Sequence, residues 1–283
     1  MPPIALPVLD EIIDRTLRED LHAGDMSAES TVPEDVSAVA TAVARRSLVS
    51  CGADVFARVF QRLDPSVRCE TLIADGTAVE RGAALWRVQG PARVLLMGER
   101  SALNLTQRMS GTATAARTYV SALPAGSTTR ITDTRKTTPG LRVLERYAVR
   151  TGGAFNHRDS LGAAIMIKDN HIIAAGGIAA AVAGARKRAP HTSRIEVEVA
   201  NFDELQQALD ARADIIMLDN FAVFDLVEAV ERARGKAILE ASGGITLETL
   251  AAVAATGVDV ISVGALTHSA PAADIALDLA LSR

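Results

Sequence analysis

Polar and charged residues follow six apolar segments in the second half of the chain. Lysine and arginine at such positions bind phosphates or carboxylates, whereas aspartate and glutamate bind a metal ion or face a developing positive charge. The residues that follow these segments are Asp133, Thr134, Arg135 and Lys136; Lys168, Asp169, Asn170 and His171; Glu196 and Glu198; Asp219 and Asn220; Glu240 and Ser242; and Ser262. The pattern predicts a site in which cations and carboxylates meet.

Cationic and histidine side chains are concentrated between residues 135 and 171, although the net charge of the whole chain is −4. Some of them recur at helical spacing and predict a solvated helix face: Arg142, Arg146 and Arg150. Others follow apolar strand residues and should point toward the strand ends: Arg135, Lys136 and Lys168. So much positive charge predicts a substrate with several phosphates or carboxylates.

Two carboxylates, Glu198 and Asp219, end successive apolar segments. One interpretation is that they neutralise neighbouring cations. The other is that they hold ribose hydroxyls or an Mg²⁺ ion that accompanies pyrophosphate, or that they face a cationic transition state. Ser-His-Asp, HExxH and paired-cysteine signatures do not accompany them, so hydride transfer and zinc hydrolysis are excluded.

Two glycine-containing segments lie near the end of the chain, ASGGIT at 241–246 and SVGALT at 262–267. Glycine between a strand and a helix leaves backbone N–H groups and the helix dipole available to an anion. Ordinary strand-to-helix turns also favour glycine. Because the last two loops of a barrel commonly bind phosphate, we favour a phosphate site.

The apolar segments themselves predict parallel strands that alternate with helices. They cover residues 129–135, 164–171, 194–200, 214–220, 237–243 and 259–265. Chemistry supplied by several strand ends at once is typical of a (β/α) barrel, whereas an open doubly wound sheet concentrates it at one switch point. A glycine-rich dinucleotide motif does not follow the first strand, which also favours the barrel.

The chain changes character near residue 125. Before that point, apolar spacing predicts helices and short strands of a smaller α/β domain. The predicted helices cover 8–21, 54–63 and 99–123, the strands cover 38–46 and 67–73, a turn-rich loop covers 24–35, and a small antiparallel sheet covers 75–96.

Composition narrows the classes of protein further. The chain has 283 residues, 48% of them hydrophobic and 3% aromatic, so it is globular and poorly equipped to bind nucleic acid. Cys51 and Cys69 are too few for a disulfide framework and are interpreted as buried thiols. The first twenty residues lack a signal peptide, and the apolar run 172–185 is too short to span a membrane. We expect a cytoplasmic protein.

Several motifs resemble the quinolinate phosphoribosyltransferase family. They are EDLHAGDMSAESTV, ERSALNLTQRMSGTAT, DTRKTTPGLRVLERYAVRTGGAFNHR, IKDNHI, EVEVAN, MLDNFA, LEASGGIT and ISVGALTHS. The resemblance covers nearly the whole chain. It implies an N-terminal α/β sandwich domain at 1–124, joined by a C-terminal helix at 270–283, and an incomplete (β/α) barrel at 125–269. It also implies a homodimer with shared active sites.

Family roles can be carried onto matching residues. The resemblance implies that Lys136, Lys168, Glu198 and Asp219 are catalytic, and that Glu198 and Asp219 contact Mg²⁺ through pyrophosphate. It implies that the following residues bind substrate: Arg100 (from the partner subunit), Thr134, Arg135, Lys136, His157, Arg158, Lys168, Glu198, Asp219, Ser242, Gly243, Gly244, Val263, Gly264, Ala265 and His268. Asp159 and Ser160 depart from the family pattern and affect the expected substrate preference.

The activity implied is transfer of phosphoribosyl from phosphoribosyl pyrophosphate to quinolinate, with decarboxylation and with Mg²⁺ as cofactor. The product would be nicotinate mononucleotide. Three alternatives remain: a related phosphoribosyltransferase-like protein of molybdate-transport operons, a nicotinate-specific phosphoribosyltransferase, and a non-catalytic nucleotide-binding barrel.

Overall fold

A computed structural model describes residues 4–281, which form a mixed α/β fold. Its elements in chain order are α1 (Leu6–Leu21), α2 (Met26–Thr31), β1 (Ser37–Ala44), β2 (Leu48–Val49), α3 (Ala53–Leu63), β3 (Arg68–Thr71), β4 (Ala78–Val79), β5 (Ala84–Pro91), α4 (Ala92–Ser121), β6 (Arg130–Thr132), α5 (Arg142–Thr151), β7 (Ile165–Ile167), α6 (Asp169–Ala175), α7 (Ile178–Arg188), β8 (Ile195–Val199), α8 (Phe202–Asp210), β9 (Ile215–Asp219), α9 (Val223–Ala233), β10 (Ile238–Ser242), α10 (Leu247–Ala255), β11 (Val260–Ser262), α11 (Ala265–His268) and β12 (Ile275–Leu281).

The chain divides into two compact units. The first contains residues up to 117 together with 137–153 and the segment from 266, and the second contains 118–136 and 154–265. Residues 137–153, which the sequence analysis assigned to the barrel, belong to the first unit because Leu144 and Ala148 of α5 pack into its core.

The first unit is built on a four-stranded antiparallel sheet in the order β12-β1-β5-β3. Alternating alanines of β1, from Ala38 to Ala44, are completely buried. Helix α3 packs against α1 and the sheet, and its Phe56 ring lies 5.1 Å from the rings of both Phe60 and Trp86. Burying these aromatic side chains makes this cluster the centre of the unit's core.

The second unit is built on six parallel strands in the order β6-β11-β10-β9-β8-β7. The strands follow one another round the sheet in chain order, and within the described residues β6 and β7 are not paired with each other. A single bridge joins Thr132 to Phe155 beside β6. The predicted incomplete barrel is therefore confirmed, and all six predicted strands are present.

Four local predictions need correction. Residues 275–281 form strand β12 and not part of a C-terminal helix, since they pair with β1; residues 282 and 283 of the predicted helix lie outside the described part. Helix α2 interrupts the predicted loop, with Asp25 accepting a hydrogen bond from the Ala28 N–H at 2.9 Å. The strand predicted at 164–171 ends at Ile167, where α6 follows. The predicted solvated arginines of α5 are half-buried.

The two cysteines differ in their surroundings. Cys51 is buried as predicted, and burial raises the pKa of its thiol. Cys69 is only half-buried, which corrects the expectation for this residue, and burial raises its pKa to about 11. Across residues 4–281, every helix is too short or too polar to cross a membrane.

Candidate functional site

A cavity of about 630 Å³ opens at the carboxyl ends of the parallel strands in the second unit. All six strands, or the segments directly after them, contribute side chains to its walls. The lining residues are Thr134, Arg135, Lys136, His157, Arg158, Met166, Lys168, Glu198, Met217, Asp219, Asn220, Glu240, Ser242, Gly243, Gly244 and Ser262. Most residues predicted to form the site are thus brought together.

The two-residue period of the strands explains which side chains enter the cavity. In β8, Ile195, Val197 and Val199 are buried on one face, which leaves Glu196 and Glu198 on the other. The parallel register then aligns neighbouring strands: Glu198 pairs with Met217, and Ser242 pairs with Asp219. The polar ends of successive strands therefore form one continuous wall.

The cationic wall comes from the segments after β6 and β7 and from the bridge segment near Phe155. Arg158 donates a hydrogen bond to the Ala164 carbonyl at 3.0 Å, which anchors its guanidinium. Burial and the neighbouring charge of Arg135 lower the pKa of Arg158, although an arginine remains charged in proteins. Two guanidinium groups in the wall of one cavity favour an anionic ligand there.

The two predicted carboxylates lie in the same cavity with defined partners. Glu198 accepts a short ionic hydrogen bond from the Lys168 ammonium. Asp219 accepts a hydrogen bond from the Asn220 amide at 2.8 Å. Neutralisation of a neighbouring cation therefore holds for Glu198, and the pair is also placed to face a ligand in the cavity.

The first glycine segment forms the turn between β10 and α10. Gly243 and Gly244 both have positive φ, of +92° and +61°, which favours glycine at each position. The N-terminus of α10 follows this turn, with Thr246 as its capping residue. The turn can thus present backbone N–H groups to an anion.

The second glycine segment contributes less than expected. Ser262 lines the cavity, but Val263, Gly264 and Ala265 do not. Val263 is buried, and its N–H donates to the Thr132 carbonyl at 2.9 Å, so this amide is used by the barrel itself. Two further predicted residues, Arg100 and His268, are exposed in the first unit.

His157, Glu196 and Glu240 form a cluster at the floor of the cavity, and the sequence analysis named the two glutamates at the strand ends without giving them a role. Glu196 and Glu240 approach the Nε2 atom of His157 at 3.2 Å and 3.6 Å. Burial, together with the charge of Glu196, raises the pKa of Glu240 to about 7. Burial lowers the pKa of His157, but the hydrogen bond with Glu196 and the surrounding carboxylates outweigh it, so this pKa is raised.

Five lining residues were given no role in the sequence analysis: Met166, Met217, Asn220, Glu240 and Ser262. Asn220, Glu240 and Ser262 were named there among the polar residues at the strand ends, and Glu240 lies two residues before Ser242 on the same face of its strand. The methionines could not be found in this way, because an apolar side chain in a strand carries no sign of which face it occupies.

The amino-acid sequence matches both domains of one family. The "Quinolinate phosphoribosyl transferase, N-terminal domain" matches residues 25–110, and the corresponding C-terminal domain matches residues 112–278. The probable nicotinate-nucleotide pyrophosphorylase (carboxylating) of Bacillus subtilis is 43% identical over 97% of this chain and 94% of its own length. The nicotinate-nucleotide pyrophosphorylase (carboxylating) of Mycobacterium leprae is 42% identical over 95% of this chain and 96% of its own length.

Solved structures of the same kind superpose closely. The crystal structure of NadC from Streptococcus pyogenes has a TM-score of 0.95 at 37% sequence identity, and the superposition covers 100% of each chain. The nicotinate-nucleotide pyrophosphorylase from Francisella tularensis has a TM-score of 0.93 at 41% identity, with 98% of each chain covered. Since both domains match in order and the relatives align along nearly the whole length, the chain belongs to the quinolinate phosphoribosyltransferase family.

Proposed function

We propose that this protein transfers the phosphoribosyl group of phosphoribosyl pyrophosphate to quinolinate, releasing pyrophosphate and CO2 and forming nicotinate mononucleotide. The observation that carries the proposal is one cavity that joins a wall of cations to two carboxylates and a glycine turn. Its relatives are nicotinate-nucleotide pyrophosphorylases of the carboxylating type.

The cationic wall suits both substrates. Quinolinate carries two carboxylates on adjacent ring carbons, and guanidinium groups bind such oxygens with paired hydrogen bonds. Arg135, Arg158 and Lys136 would hold this dicarboxylate, and Lys168 would reach the pyrophosphate. The glycine turn at Gly243 and Gly244 would bind the 5′-phosphate at the start of α10.

The donor set of the cavity fits Mg²⁺ bound together with pyrophosphate. Glu198 and Asp219 provide carboxylate oxygens, which Mg²⁺ prefers, but Glu198 is already paired with Lys168. Two carboxylates are too few for an all-protein cage, so substrate phosphates would complete the ligands. Bound Mg²⁺ would neutralise negative charge on the departing pyrophosphate.

The chemistry follows from the substrates and the charges of the site. The ring nitrogen of quinolinate attacks C1 of the ribose while the C1–O bond to pyrophosphate breaks. Glu198 and Asp219 would stabilise the positive charge that develops on the ribose. Ribosylation makes the ring cationic, so the carboxylate beside the nitrogen leaves as CO2, its electron pair stays on the ring carbon, and a proton replaces it.

The decisive experiment is a turnover assay with quinolinate, phosphoribosyl pyrophosphate and Mg²⁺, run in parallel with nicotinate. We expect labelled CO2 from quinolinate and negligible product from nicotinate. Product from nicotinate without CO2 would identify a nicotinate-specific enzyme. Absence of turnover with either substrate would favour the protein of molybdate-transport operons or a non-catalytic nucleotide-binding barrel.

We also propose a homodimer in which Arg100 serves the site of the partner subunit. Arg100 lies on α4, and 60% of its side chain is exposed. Inactive Arg100→Ala subunits mixed with inactive Lys136→Ala subunits should form dimers in which one site is intact. Recovery of up to about half of the parental activity per mixed dimer is expected from two-fold symmetry. Failure to recover despite proven subunit exchange would contradict the shared site.

A cytoplasmic location is likewise part of the proposal. The thiols of Cys51 and Cys69 are both free, which is consistent with a reducing compartment. Cell fractionation with a compartment marker tests this location, and recovery of the protein in a membrane or secreted fraction would contradict it.

A further inference from the structure

Three side chains converge on the floor of the cavity, and none of them has a task in the reaction steps described above. His157 and Glu240 line the cavity, whereas Glu196 does not, and both glutamates are almost completely buried. The Nε2 atom of His157 is 3.2 Å from Oε2 of Glu196 and 3.6 Å from Oε2 of Glu240. The imidazole is therefore directed, through this nitrogen, at two carboxylates.

The fold fixes all three residues from separate elements. Glu196 belongs to β8 and Glu240 to β10, and each occupies the inward face of its strand. The backbone N–H of His157 donates to Oδ1 of Asp133 at 2.7 Å, and the Asn156 amide donates to Oδ2 of the same residue at 2.7 Å. Because Asp133 is fully buried after β6, the main chain carrying the imidazole is clamped to the barrel.

The charges of this floor require a proton among the three groups. Two carboxylates in a poorly hydrated position repel each other unless a cation or a proton compensates them. Within the described residues, Oε1 of Glu240 has no hydrogen-bond partner. The charged groups that face the imidazole are Glu196 from β8, Glu240 from β10 and Asp133 after β6. Lys168, after β7, carries a positive charge that acts on Glu240, and Arg158 is the next residue in the chain after His157.

Burial and carboxylates act on the imidazole in opposite directions. Burial alone would lower the pKa of His157 and leave a neutral ring. The hydrogen bond to Glu196 and the charges of Glu240, Glu196 and Asp133 outweigh burial, and the pKa is raised. An imidazolium at this position adds a positive charge to the cationic wall.

We propose that Glu196 and Glu240 are positioning residues that hold a proton on Nε2 of His157 and fix the orientation of its ring. The cavity wall thereby includes an imidazolium of defined direction. That this imidazolium binds an anionic substrate rests on the proposed function, whereas the arrangement of His157, Glu196 and Glu240 does not depend on it. Both glutamates are expected to act through His157: Glu196 does not line the cavity, and the carboxylate of Glu240, which does, is directed at the imidazole.

The first test follows the imidazole directly. The chain has five histidines, so a ¹⁵N-histidine NMR titration is tractable, and the His157→Asn variant assigns the resonance of interest. In the unmodified protein, the His157 ring should remain protonated on both nitrogens at a pH where exposed histidines have lost their second proton. This arm requires no glutamate variant to fold, and a neutral ring with its proton on either nitrogen at that pH would overturn the proposal.

The second test uses isosteric variants. Glu196→Gln, Glu240→Gln and the double variant should each lower the pKa of His157, the double variant most. The matched control is Glu231→Gln, an exposed glutamate paired with Arg234. An unchanged His157 titration in a folded double variant would overturn the proposal.

Steady-state kinetics provides a readout that distinguishes positioning from general loss of structure. In Glu240→Gln, KM for quinolinate should rise several-fold, because a smaller fraction of His157 carries its second proton, while kcat changes less. The Glu240→Asp variant, which keeps a carboxylate, should lose less than Glu240→Gln. A loss of kcat of that size with unchanged KM would contradict a positioning role for Glu240. Absence of turnover in the unmodified protein would instead contradict the proposed function.

A bound metal is the remaining outcome. The three side chains offer ligand atoms within 4.8 Å of one another, a spacing compatible with a divalent cation. Elemental analysis of the purified protein, before and after dialysis against a chelator, measures such an ion. A stoichiometric metal that is lost in Glu240→Gln would replace the proton in this account and overturn it.

Discussion

Gly243 lies directly against Asn220 in the wall of the cavity. A Cβ atom at position 243 would stand 2.2 Å from Oδ1 of Asn220 and 3.0 Å from its backbone nitrogen. Asn220 itself has a positive φ of 57°, and its backbone N–H donates to the Ser242 carbonyl at 2.9 Å. The glycine turn and the segment that carries Asp219 are therefore packed as one piece.

Replacing Gly243 by alanine should damage the site through Asn220. The new methyl group would displace the Asn220 amide, which now donates to Asp219. We expect a large increase in KM for phosphoribosyl pyrophosphate in the turnover assay. The control is Gly235→Ala, a position with positive φ but open space around it, which should cost about 1 kcal/mol of stability from backbone strain alone. Equal kinetic effects of the two changes would contradict the packing argument.

Lys136→Ala and Arg158→Ala should each weaken quinolinate binding. Removing one cation leaves a substrate carboxylate without its partner in the cavity, at a cost of about 2 to 5 kcal/mol. Isothermal titration calorimetry measures the affinity, and circular dichroism checks the fold. Arg234→Ala, which removes an exposed arginine, is the control. Unchanged affinity in both variants would show that these cations do not bind the dicarboxylate.

Glu198→Gln and Asp219→Asn should lower kcat more than they raise KM. Groups that face a developing positive charge act mainly in the transition state. Glu198→Gln also removes the ionic partner of Lys168, so Lys168→Met alone and combined with Glu198→Gln are needed for comparison. A pure loss of affinity with unchanged kcat would indicate simple ligand binding.

The Arg108–Glu145 ion pair should contribute measurably to the stability of the first unit. Glu145 is completely buried, and its carboxylate contacts the Arg108 guanidinium at 2.8 Å and accepts hydrogen bonds from both the backbone and side chain of Thr138. Glu145→Leu leaves the largely buried Arg108 guanidinium without its carboxylate partner, with only the Ala270 and Thr267 carbonyls as acceptors, and should cost about 3 to 5 kcal/mol.

Urea unfolding followed by fluorescence measures this effect, because the only tryptophan, Trp86, is buried in the same unit. A double-mutant cycle with Arg108→Met should give a coupling energy well above experimental error. Additive losses would mean that the ion pair itself contributes little.

Stability should depend on pH through Glu240. The pKa of this group rises from 4.5 to about 7 on folding, so the folded protein binds a proton that the unfolded chain releases. Its contribution is fully present below 4.5 and is lost as the pH rises through about 7. The Tm of the unmodified protein, relative to Glu240→Gln, should therefore be higher at about pH 5 than at about pH 8. A pH-independent difference in scanning calorimetry would contradict this assignment.

The barrel and most of its site could be predicted because their signals are local. Each strand is a short apolar run that ends in polar residues, and the family motifs place those residues at the strand ends. The two-residue period also marks Glu196 and Glu240 as neighbours of the site on the inward face. Their convergence on His157 could not be predicted, since it depends on the order of strands round the sheet.

The errors have two physical origins. In β12, the residues Ile275, Leu277, Leu279 and Leu281 alternate as a strand requires, but a helix implied by family resemblance was preferred over this local pattern. The assignment of α5 failed for the opposite reason. Its position follows from the packing of Leu144 and Ala148 and from the burial of Glu145 against Arg108, which are contacts between distant parts of the chain.

The pairing of β12 with β1 sets an order for biosynthesis. Strand β1 is made early, but its partner at residues 275–281 leaves the ribosome only after all the residues of the barrel. Until then, one edge of β1 has unpaired backbone groups of the kind that recruit other chains. Completion of the first sheet must therefore wait until residues 275–281 have been synthesised, and a ribosome that stalls within the barrel would release a product prone to aggregate.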